Sequence, residues 1–378
     1  MAKRPRHPAR PRRRRPATIL DVARVAGVST ATVSRSLASP ERVSEPTRAA
    51  VFKAISEIGF TPNATARNLR ARSTRMVLAL LEGFGDRFYN VIMDAIDDVL
   101  TDAGYGIIYG ASRHDPERAA HYARLVRSGQ VDGVLLLTGA LPEERLTDNS
   151  TVPFTLICND IPGHPEMSLF APANADAAAA MTAHLIGLGH TRIAHVTGPR
   201  GNIEARERLA GYRSALADAG LPFDPSIVWE GTFAIEAGVR AAGRFLQAAD
   251  RPTAVFAAND EIAIGLIRAL KDAGLSVPED VSVAGYDDIE YAAIFTPALT
   301  TMRQPRAELG RRAAEDLVRR MAAAGAPPNR ERLACSLVVR ESVRSVGAGS
   351  RPEVAGGRAP SAARTVAGAG PVRRDAGV

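Results

Sequence analysis

TILDVARVAGVSTATVSRSL, residues 18–37, is the stretch that decides the fold at the start of this 378-residue chain. Thr18 and Asp21 have capping-box spacing, and they predict a helix that Gly27 ends. Ser29 has the position and side chain of the N-cap of a second short helix that runs to about residue 37. Two short helices joined by a tight turn with glycine are typical of a helix-turn-helix.

A third helix supports the first two and completes this layout. Ser44-Glu-Pro46 predicts its start, and its apolar face carries Val51, Ala54, Ile55 and Ile58. A generic three-helix bundle is the alternative interpretation. The second helix argues against it, because its polar side chains are hydroxyls and a guanidinium suited to phosphates and base edges, namely Thr30, Thr32, Ser34 and Arg35.

The charge of the chain is divided along its length. Residues 1–75 carry 17 Lys and Arg against 4 Asp and Glu, whereas residues 76–344 carry 26 against 35. A basic head on an acidic body predicts a polyanionic partner for the head alone. The Arg- and Pro-rich arm 1–17 and the tail 345–378, rich in Gly, Ala and Pro, are expected to be disordered.

Short apolar runs alternate with amphipathic segments from Met76 onward. The predicted strands are Met76–Leu81, Gly106–Tyr109, Gly133–Thr138, Phe154–Cys158, Ile193–Thr197, Ala254–Ala257 and Val281–Gly285. The predicted helices are Val91–Ala103, Pro116–Ser128, Asn174–Leu188, Glu204–Ala219, Ile235–Ala248 and Asp260–Ala273. This alternation indicates an α/β body with two doubly wound parallel sheets, behind an all-α head.

Several classes of protein are disfavoured by what the sequence lacks. It contains no apolar run long enough for a membrane span and no signal-peptide core, so a cytoplasmic protein is expected. Cys158 and Cys335 lie in apolar runs and are expected to be reduced, and no Cys/His spacing predicts a metal site. No catalytic motif is found, so we expect neither an enzyme nor a cofactor. Asp287-Asp288 follows a strand end, where α/β folds bind ligands.

The order and spacing of many short motifs carry a resemblance to the LacI/GalR family of transcription regulators over about residues 18–342. In the head they are Thr18-Ile-Leu-Asp21-Val-Ala, Ala26-Gly-Val-Ser29, Thr32-Val-Ser34-Arg35, Ile58-Gly-Phe60 and Pro62-Asn63. In the body they are Gly189-His190, Asn259-Asp260, Gly285-Tyr-Asp287-Asp288, and Pro297-Ala-Leu299-Thr-Thr301 before Gln304-Pro305.

The resemblance implies a homodimer that binds a palindromic double-stranded DNA operator through the second helix of each head. By position it makes Thr30 and Ala31 the discriminating pair, with Arg35 also reading bases and Leu69 inserted in the central minor groove. The remaining DNA-binding or supporting residues would be Thr18, Ser29, Thr32, Ser34, Ser44, Thr47, Asn63 and Ala66.

The resemblance also implies an effector site between two lobes of the body. The matching positions are Arg206, Phe233, Asn259 and Asp287, a set that suits a sugar. The domains would be a helix-turn-helix at 18–62, a hinge helix or linker at 63–75, and a body at 76–344. Lobe 1 would comprise about 76–171 and 303–333, and lobe 2 about 172–302 and 334–344.

Two departures from the family pattern leave the effector open. Glu82-Gly-Phe stands where many members have Asn-Pro, and Ala173 stands where an Asp is usual. The expected function is a repressor of a carbohydrate-utilisation operon. The alternatives are a purine-responsive repressor of the corepressor type, a solute-binding protein of a sugar transporter, and a metabolic enzyme fused to a DNA-binding head.

Overall fold

A computed structural model describes residue 15 and residues 17–60, 73–85, 87–113, 115–141, 152–323 and 325–346. The expected N-terminal arm, apart from residues 15 and 17, lies outside these residues. So do most of the expected linker and nearly all of the C-terminal tail. The predictions for Asn63, Ala66 and Leu69 therefore also lie outside the described residues.

Three helices form the head: α1 (Ile19–Ala26), α2 (Thr30–Ala38) and α3 (Glu45–Ile58). The N–H and the hydroxyl of Thr18 donate to Asp21 Oδ2 at 3.0 and 2.7 Å, and Gly27 ends α1 with a left-handed φ of 67°. These features confirm the predicted start and end of the first helix. The core of the head is formed by the buried side chains of Val22, Ala23, Val33, Val51 and Ala54.

The start of α3 differs in one detail from the expected cap. Ser44 occupies the N-cap position, but its hydroxyl is hydrogen-bonded to the Thr47 hydroxyl at 2.9 Å and caps no backbone N–H. Pro46 lies in the first turn, where a missing N–H costs nothing because that N–H has no helical partner. The helix therefore begins where the sequence predicted, with proline rather than a serine cap favouring its start.

The described residues divide into two compact units. The first contains those within 1–83, 97–155 and 314–327, and the second contains those within 84–96, 156–313 and 328–378. In the first unit, parallel strands β1 (Met76–Leu81), β2 (Gly106–Ala111) and β3 (Gly133–Leu136) lie in the order β3-β1-β2. The start of β4 (Phe154–Ile157) extends this sheet beyond β3, where Val134 N–H donates to Pro153 O.

The second unit contains the end of β4 beside β5 (Ser168–Pro172) and β11 (Arg330–Leu333), in the order β11-β5-β4. It also contains a separate parallel sheet in the order β7-β6-β8-β9. The strands of that sheet are β6 (Ile193–Thr197), β7 (Val228–Glu230), β8 (Ala254–Ala257) and β9 (Ser282–Ala284). The short strands β10 (Thr301–Arg303) and β12 (Ser336–Val338) pair antiparallel. Parallel sheets in the body confirm the predicted α/β class.

The helices of the body are α4 (Asn90–Asp102), α5 (Pro116–Arg127), α6 (Asn174–Gly187), α7 (Ile203–Asp218), α8 (Ile235–Gln247), α9 (Asp260–Asp272), α10 (Glu290–Ile294) and α11 (Arg306–Ala322). Helices α6 and α7 touch through backbone at Gly211, where a Cβ would lie 2.0 Å from Ala175 O. Glycine at this position lets the two helices approach closely, which brings the middle of α7 beside the start of α6.

Every strand and helix predicted for the body is present, with ends that differ by a few residues. The structure adds elements that the alternation did not predict, among them β5 and the long helix α11. No helix within the described ranges is both long and apolar enough to span a membrane.

One polar group in the head core yields a stability prediction. Ser36 on α2 is fully buried, and its Oγ has no hydrogen-bond partner among the described residues. A buried hydroxyl without a partner costs about 1–3 kcal/mol. We therefore expect Ser36→Ala to raise the free energy of unfolding of the head by about 1 kcal/mol, measured by hydrogen exchange of the head amides in the full chain.

The control is Ser56→Ala on the exposed surface of α3. That variant changes only helix propensity, which differs by roughly 0.5 kcal/mol between serine and alanine. A gain at Ser36 no larger than the gain at Ser56 would contradict the proposed cost of the buried hydroxyl.

Candidate functional site

The outward face of α2 carries residues that the family resemblance assigned to DNA binding. Thr30, Ala31 and Arg35 are exposed and Ser34 is half-buried, whereas Val33 and Ser36 face the core of the head. The 3.6-residue period places these four outward residues on one stripe of the helix. A short helix with hydroxyls and a guanidinium along one exposed stripe has the dimensions and chemistry to enter a major groove.

Pairs of hydroxyls mark the starts of two helices beside this face. Ser29 Oγ accepts from Thr32 N–H at 3.1 Å and lies 2.9 Å from Thr32 Oγ1, and Ser44 and Thr47 form the equivalent pair on α3. Each pair leaves hydroxyl groups exposed next to first-turn backbone N–H groups, which is a suitable arrangement for a phosphate oxygen.

Thr18 differs from these residues because its hydrogen-bond donors are not available to a phosphate. Its N–H and its hydroxyl both donate to Asp21, so both of its hydrogen-bond donors are already engaged at the start of α1. This bonding supports a structural role at the N-terminus of α1, where Thr18 fixes the position of the helix end.

In the second unit, polar side chains converge on the buried guanidinium of Arg208, which is 3% exposed. Its Nε donates to Asn174 Oδ1 at 3.0 Å, and its NH1 donates to Ala258 O at 2.6 Å. The guanidinium carbon also lies 4.0 Å from the centre of the Tyr286 ring, as in a cation–π contact. Arg208 is therefore held in one orientation by backbone, amide and aromatic groups.

Two buried carboxylates lie beside the same guanidinium. Glu204 Oε1 is 3.6 Å from NH2, and Asp287 Oδ1 is 3.7 Å from NH1. Burial opposes ionisation of Arg208, but the two carboxylates outweigh it and raise the pKa of Arg208 above its usual value. The guanidinium stays charged, because its charged form compensates the buried carboxylates.

Gln304 hydrogen-bonds to this group and also carries a hydrogen-bond acceptor that is available to a ligand. Its Nε2 donates to Asp287 Oδ1 at 2.6 Å, whereas its buried Oε1 has no hydrogen-bond partner among the described residues. A buried carbonyl oxygen without a donor is unfavourable, so a hydroxyl or amine from a ligand would stabilise it.

Asn259 and Phe233, two positions that the family resemblance assigned to effector binding, lie together in this region. Asn259 Oδ1 accepts from Ile262 N–H at the start of α9, and its Nδ2 donates to Phe233 O at 2.8 Å. Phe233 has a left-handed φ of 62°, and its ring centre lies 5.6 Å from the guanidinium carbon of Arg208. Asn259 thus holds the Phe233 loop in place and retains one N–H and one lone pair for a ligand.

The structure does not bring Arg206 to this group. Arg206 is exposed on α7, whereas Arg208, two residues later, is buried beside Asp287. The helical period explains the difference, because the buried residues of α7 are Glu204, Ala205, Arg208, Gly211, Tyr212, Ala215 and Leu216. The expected pairing of Arg206 with Asp287 is therefore wrong in its arginine, and Arg208 takes that place.

The loop that carries Asp287 is fixed by strained backbone and buried ion pairs. Asp287 and Asp288 both have positive φ, 114° and 55°. Burial alone would raise the pKa of Asp288, but Arg303 and Arg340 hydrogen-bond to its carboxylate and hold the pKa below its ordinary value. Strained residues persist only where their surroundings over-determine them, and they occur often at ligand sites.

Asp260 supports the same loop through hydrogen bonds from two other segments. Its carboxylate accepts from Thr301 Oγ1 at 2.6 Å and from Ile289 N–H at 2.9 Å. Burial raises the pKa of Asp260 to about 7, although these two hydrogen bonds oppose the rise. This aspartate follows Asn259 directly, so the motif joins the amide that holds the Phe233 loop to the side chain that supports the Asp287 loop.

Sequence reasoning missed four members of this group, namely Asn174, Glu204, Arg208 and Gln304, and it also missed Asn159. Asn159 follows β4, and its Oδ1 accepts from Asn202 Nδ2 at 3.4 Å, so it meets the start of α7. Strand-end position could have indicated Asn159, and helical period could have indicated Glu204 and Arg208. No cluster of His, Cys, Asp or Glu suited to a metal ion is found among the residues that the structure describes.

Comparison with known proteins places both parts of the chain. Residues 18–63 match the family model of bacterial regulatory proteins of the lacI family, and residues 182–343 match that of the periplasmic binding protein-like domain. The repressor PurR of Aliivibrio fischeri strain MJ11 is 36% identical over 310 residues, which cover 81% of this chain and 92% of PurR. The chain belongs to the lacI family. The relative is a transcriptional repressor by name, which confirms the prediction of a regulator rather than an enzyme.

Two solved structures resemble this chain over most of its length. The lac repressor dimer bound to operator and the anti-inducer ONPF is 28% identical, with a TM-score of 0.79, and the match covers 87% of this chain and all of that one. A complex of the transcriptional regulator CelR with cellobiose is 33% identical, with a TM-score of 0.67. The match covers 86% of this chain and 99% of the CelR chain. The protein is a DNA-binding transcription regulator with an effector-binding body.

The burial of Arg208 and the exposure of Arg206 yield a prediction. Arg208→Ala leaves two buried carboxylates without their guanidinium, so we expect a loss of about 3–5 kcal/mol in the free energy of unfolding. Arg206→Ala, on the same helix, should change that free energy by less than about 0.5 kcal/mol. Urea unfolding of the two variants measures both values, and equal losses would contradict the assignment of Arg208 as the buried partner.

Proposed function

We propose that this regulator is a cytoplasmic homodimer that represses a carbohydrate-utilisation operon. It binds a palindromic operator through α2 of each head and a sugar at the group of polar residues around Arg208. The purine-responsive alternative remains a second candidate for the effector, because the Phe233 ring would also stack on a nucleobase.

The observation that carries the sugar proposal is the mixture of donors and acceptors around Arg208. The guanidinium donates, the Asp287 carboxylate accepts, and Gln304 Oε1 is an acceptor without a donor among the described residues. Sugar hydroxyls both donate and accept, and the apolar face of a sugar ring packs on an aromatic ring such as that of Phe233. The similarity to a regulator solved with cellobiose supports the same class of effector.

The DNA part of the proposal rests on the exposed stripe of α2 and on the basic head. The positions that the family resemblance assigns to recognition, Thr30, Ala31 and Arg35, are exposed on one face. Repression requires that the regulator hold its operator tightly, and a dimer gains that affinity from two heads on two half-sites. The lac repressor structure, a dimer on its operator, supports this arrangement.

Substitution of Arg35 tests the DNA interface. We expect Arg35→Ala to weaken binding by about 1–3 kcal/mol per half-site and to relax base preference at one position, because a guanidinium reads a guanine edge. The probe is a palindromic duplex selected from a random-sequence library by the wild-type protein, with fluorescence anisotropy as the measurement. Lys53→Ala on α3 removes the same charge and serves as control. A uniform loss over all sequences for Arg35→Ala would contradict base recognition.

A ligand panel tests the effector. Thermal unfolding is measured with cellobiose, lactose, maltose, ribose, adenine, hypoxanthine and cytidine. We expect a sugar to raise the melting temperature of the wild-type protein, and Asp287→Asn to weaken the affinity for it at least tenfold, because a buried hydroxyl loses its charged acceptor.

The matched control is Asp250→Asn, which changes an exposed carboxylate of the same unit that pairs with Arg192. Stabilisation by adenine or hypoxanthine alone would favour the purine-type alternative, whereas stabilisation by cytidine alone would contradict both candidates. Stabilisation by a sugar that Asp287→Asn leaves unchanged would contradict the proposed site.

A further inference from the structure

Three consecutive residues directly before β1 all donate to one carboxylate. Thr74 donates to Asp132 Oδ1 through its N–H and through its hydroxyl, each at 2.8 Å. The Ser73 hydroxyl and the Arg75 N–H donate to Oδ2, the latter at 2.9 Å. Both oxygens of Asp132 are therefore engaged by the segment 73–75, the last three residues of the expected linker.

The same segment is held from a second side. The Arg75 carbonyl accepts from Gly106 N–H at 2.8 Å, and the Arg75 guanidinium lies 5.0 Å from the centre of the Tyr105 ring. The Asp132 N–H donates to Met76 O at 2.8 Å, so the backbone of Asp132 also joins the start of β1. The chain thus enters the body at a point tied to the first residues of three strands.

The bonding at Asp132 also holds a strained conformation. Arg75 has a φ of 56°, which a residue with a side chain adopts only when its neighbours require it. Burial alone would raise the pKa of Asp132, but the hydrogen bonds from Ser73, Thr74 and Arg75 lower it below its ordinary value. The carboxylate is charged at neutral pH, and hydrogen bonds to a charged acceptor are the stronger kind.

Asp132 and the segment 73–75 lie where the chain passes from the head to the body. Residues 61–72 connect Phe60, at the end of the head, to Ser73. The direction in which the chain continues from Ser73 toward the head depends on what holds Ser73 in place. When two heads must reach two half-sites together, the gain in affinity depends on how well the geometry of the attachment matches the spacing.

We infer that Asp132 is a positioning residue for operator binding. It fixes the direction in which the chain leaves the body toward the DNA-binding head, so that both heads of a dimer meet their half-sites at once. The inference goes beyond the proposed function and uses the homodimer proposed there.

The experiment compares two duplexes: the palindrome selected by the wild-type protein, and the same duplex with one half-site scrambled. We expect Asp132→Asn to lower affinity for the palindrome about tenfold, because the second head is no longer presented in register. Affinity for the single half-site should stay within about twofold, because the contacts of each head are unchanged. The ratio of the two affinities is the readout, because a smaller fraction of folded protein lowers both affinities by the same factor.

Asp115→Asn is the matched control. Asp115 caps α5 in the same unit and accepts from Glu117 N–H at 2.9 Å and Arg118 N–H at 3.4 Å. The substitution removes the same charge and weakens the body, but it should leave the affinity ratio at its wild-type value. Thr74→Val removes one of the four donors to Asp132, so an intermediate fall in the ratio is expected, and this variant decides the matter if Asp132→Asn does not fold.

Three results would overturn the inference. The first is an unchanged ratio in Asp132→Asn, or in Thr74→Val where that variant decides. The second is an equal fall in the ratio for Asp115→Asn. The third is a wild-type protein that binds palindrome and single half-site equally, which would also contradict the homodimer. The first two leave the homodimer intact, so the two failures are distinguishable.

Discussion

The second unit is organised around the buried guanidinium of Arg208, whose positive charge is balanced by the carboxylates of Glu204 and Asp287. Arg208 joins the start of α6 through Asn174, the end of β8 through Ala258 O, and the loop after β9 through Asp287. A buried charge is tolerated only when its hydrogen bonds and counter-charges are all supplied, so these three elements have to be positioned together. The fold provides this position because the carboxyl ends of the parallel strands β6, β8 and β9 share one edge of their sheet.

The fold was largely predictable because its determinants are local. Capping at Thr18, the left-handed glycine at 27 and the alternation of apolar strands with amphipathic helices indicate their elements without tertiary information. β5 was missed because its last residue is Pro172, which a strand pattern discourages. α11 was missed because its buried positions, Leu309, Ala313, Ala314 and Leu317, are few among many charged residues.

The site was predictable in part, and the part that failed depended on a choice of helix face. Asn259 and Asp287 follow predicted strands, so their positions at one sheet edge could be inferred from the sequence. Arg206 and Arg208 are two residues apart, and only one can face the core. Counting back by the helical period from the buried Tyr212 and Leu216 selects Arg208, whereas the family resemblance had indicated Arg206. Gln304 was not predictable, because its contact with Asp287 is made between segments that no local pattern pairs.

The glycine at the crossing of α6 and α7 divides the latter helix into two parts with different freedom to evolve. The turns before Gly211 carry Glu204 and Arg208, and of these two only position 204 is open to change, because Arg208 compensates the buried carboxylate of Asp287. The next turn is closed to change, because at Gly211 any side chain would meet the backbone of Ala175. A combinatorial library that redirects the regulator to a new effector would therefore vary position 204 and its neighbours at strand ends, and keep the helix crossing untouched.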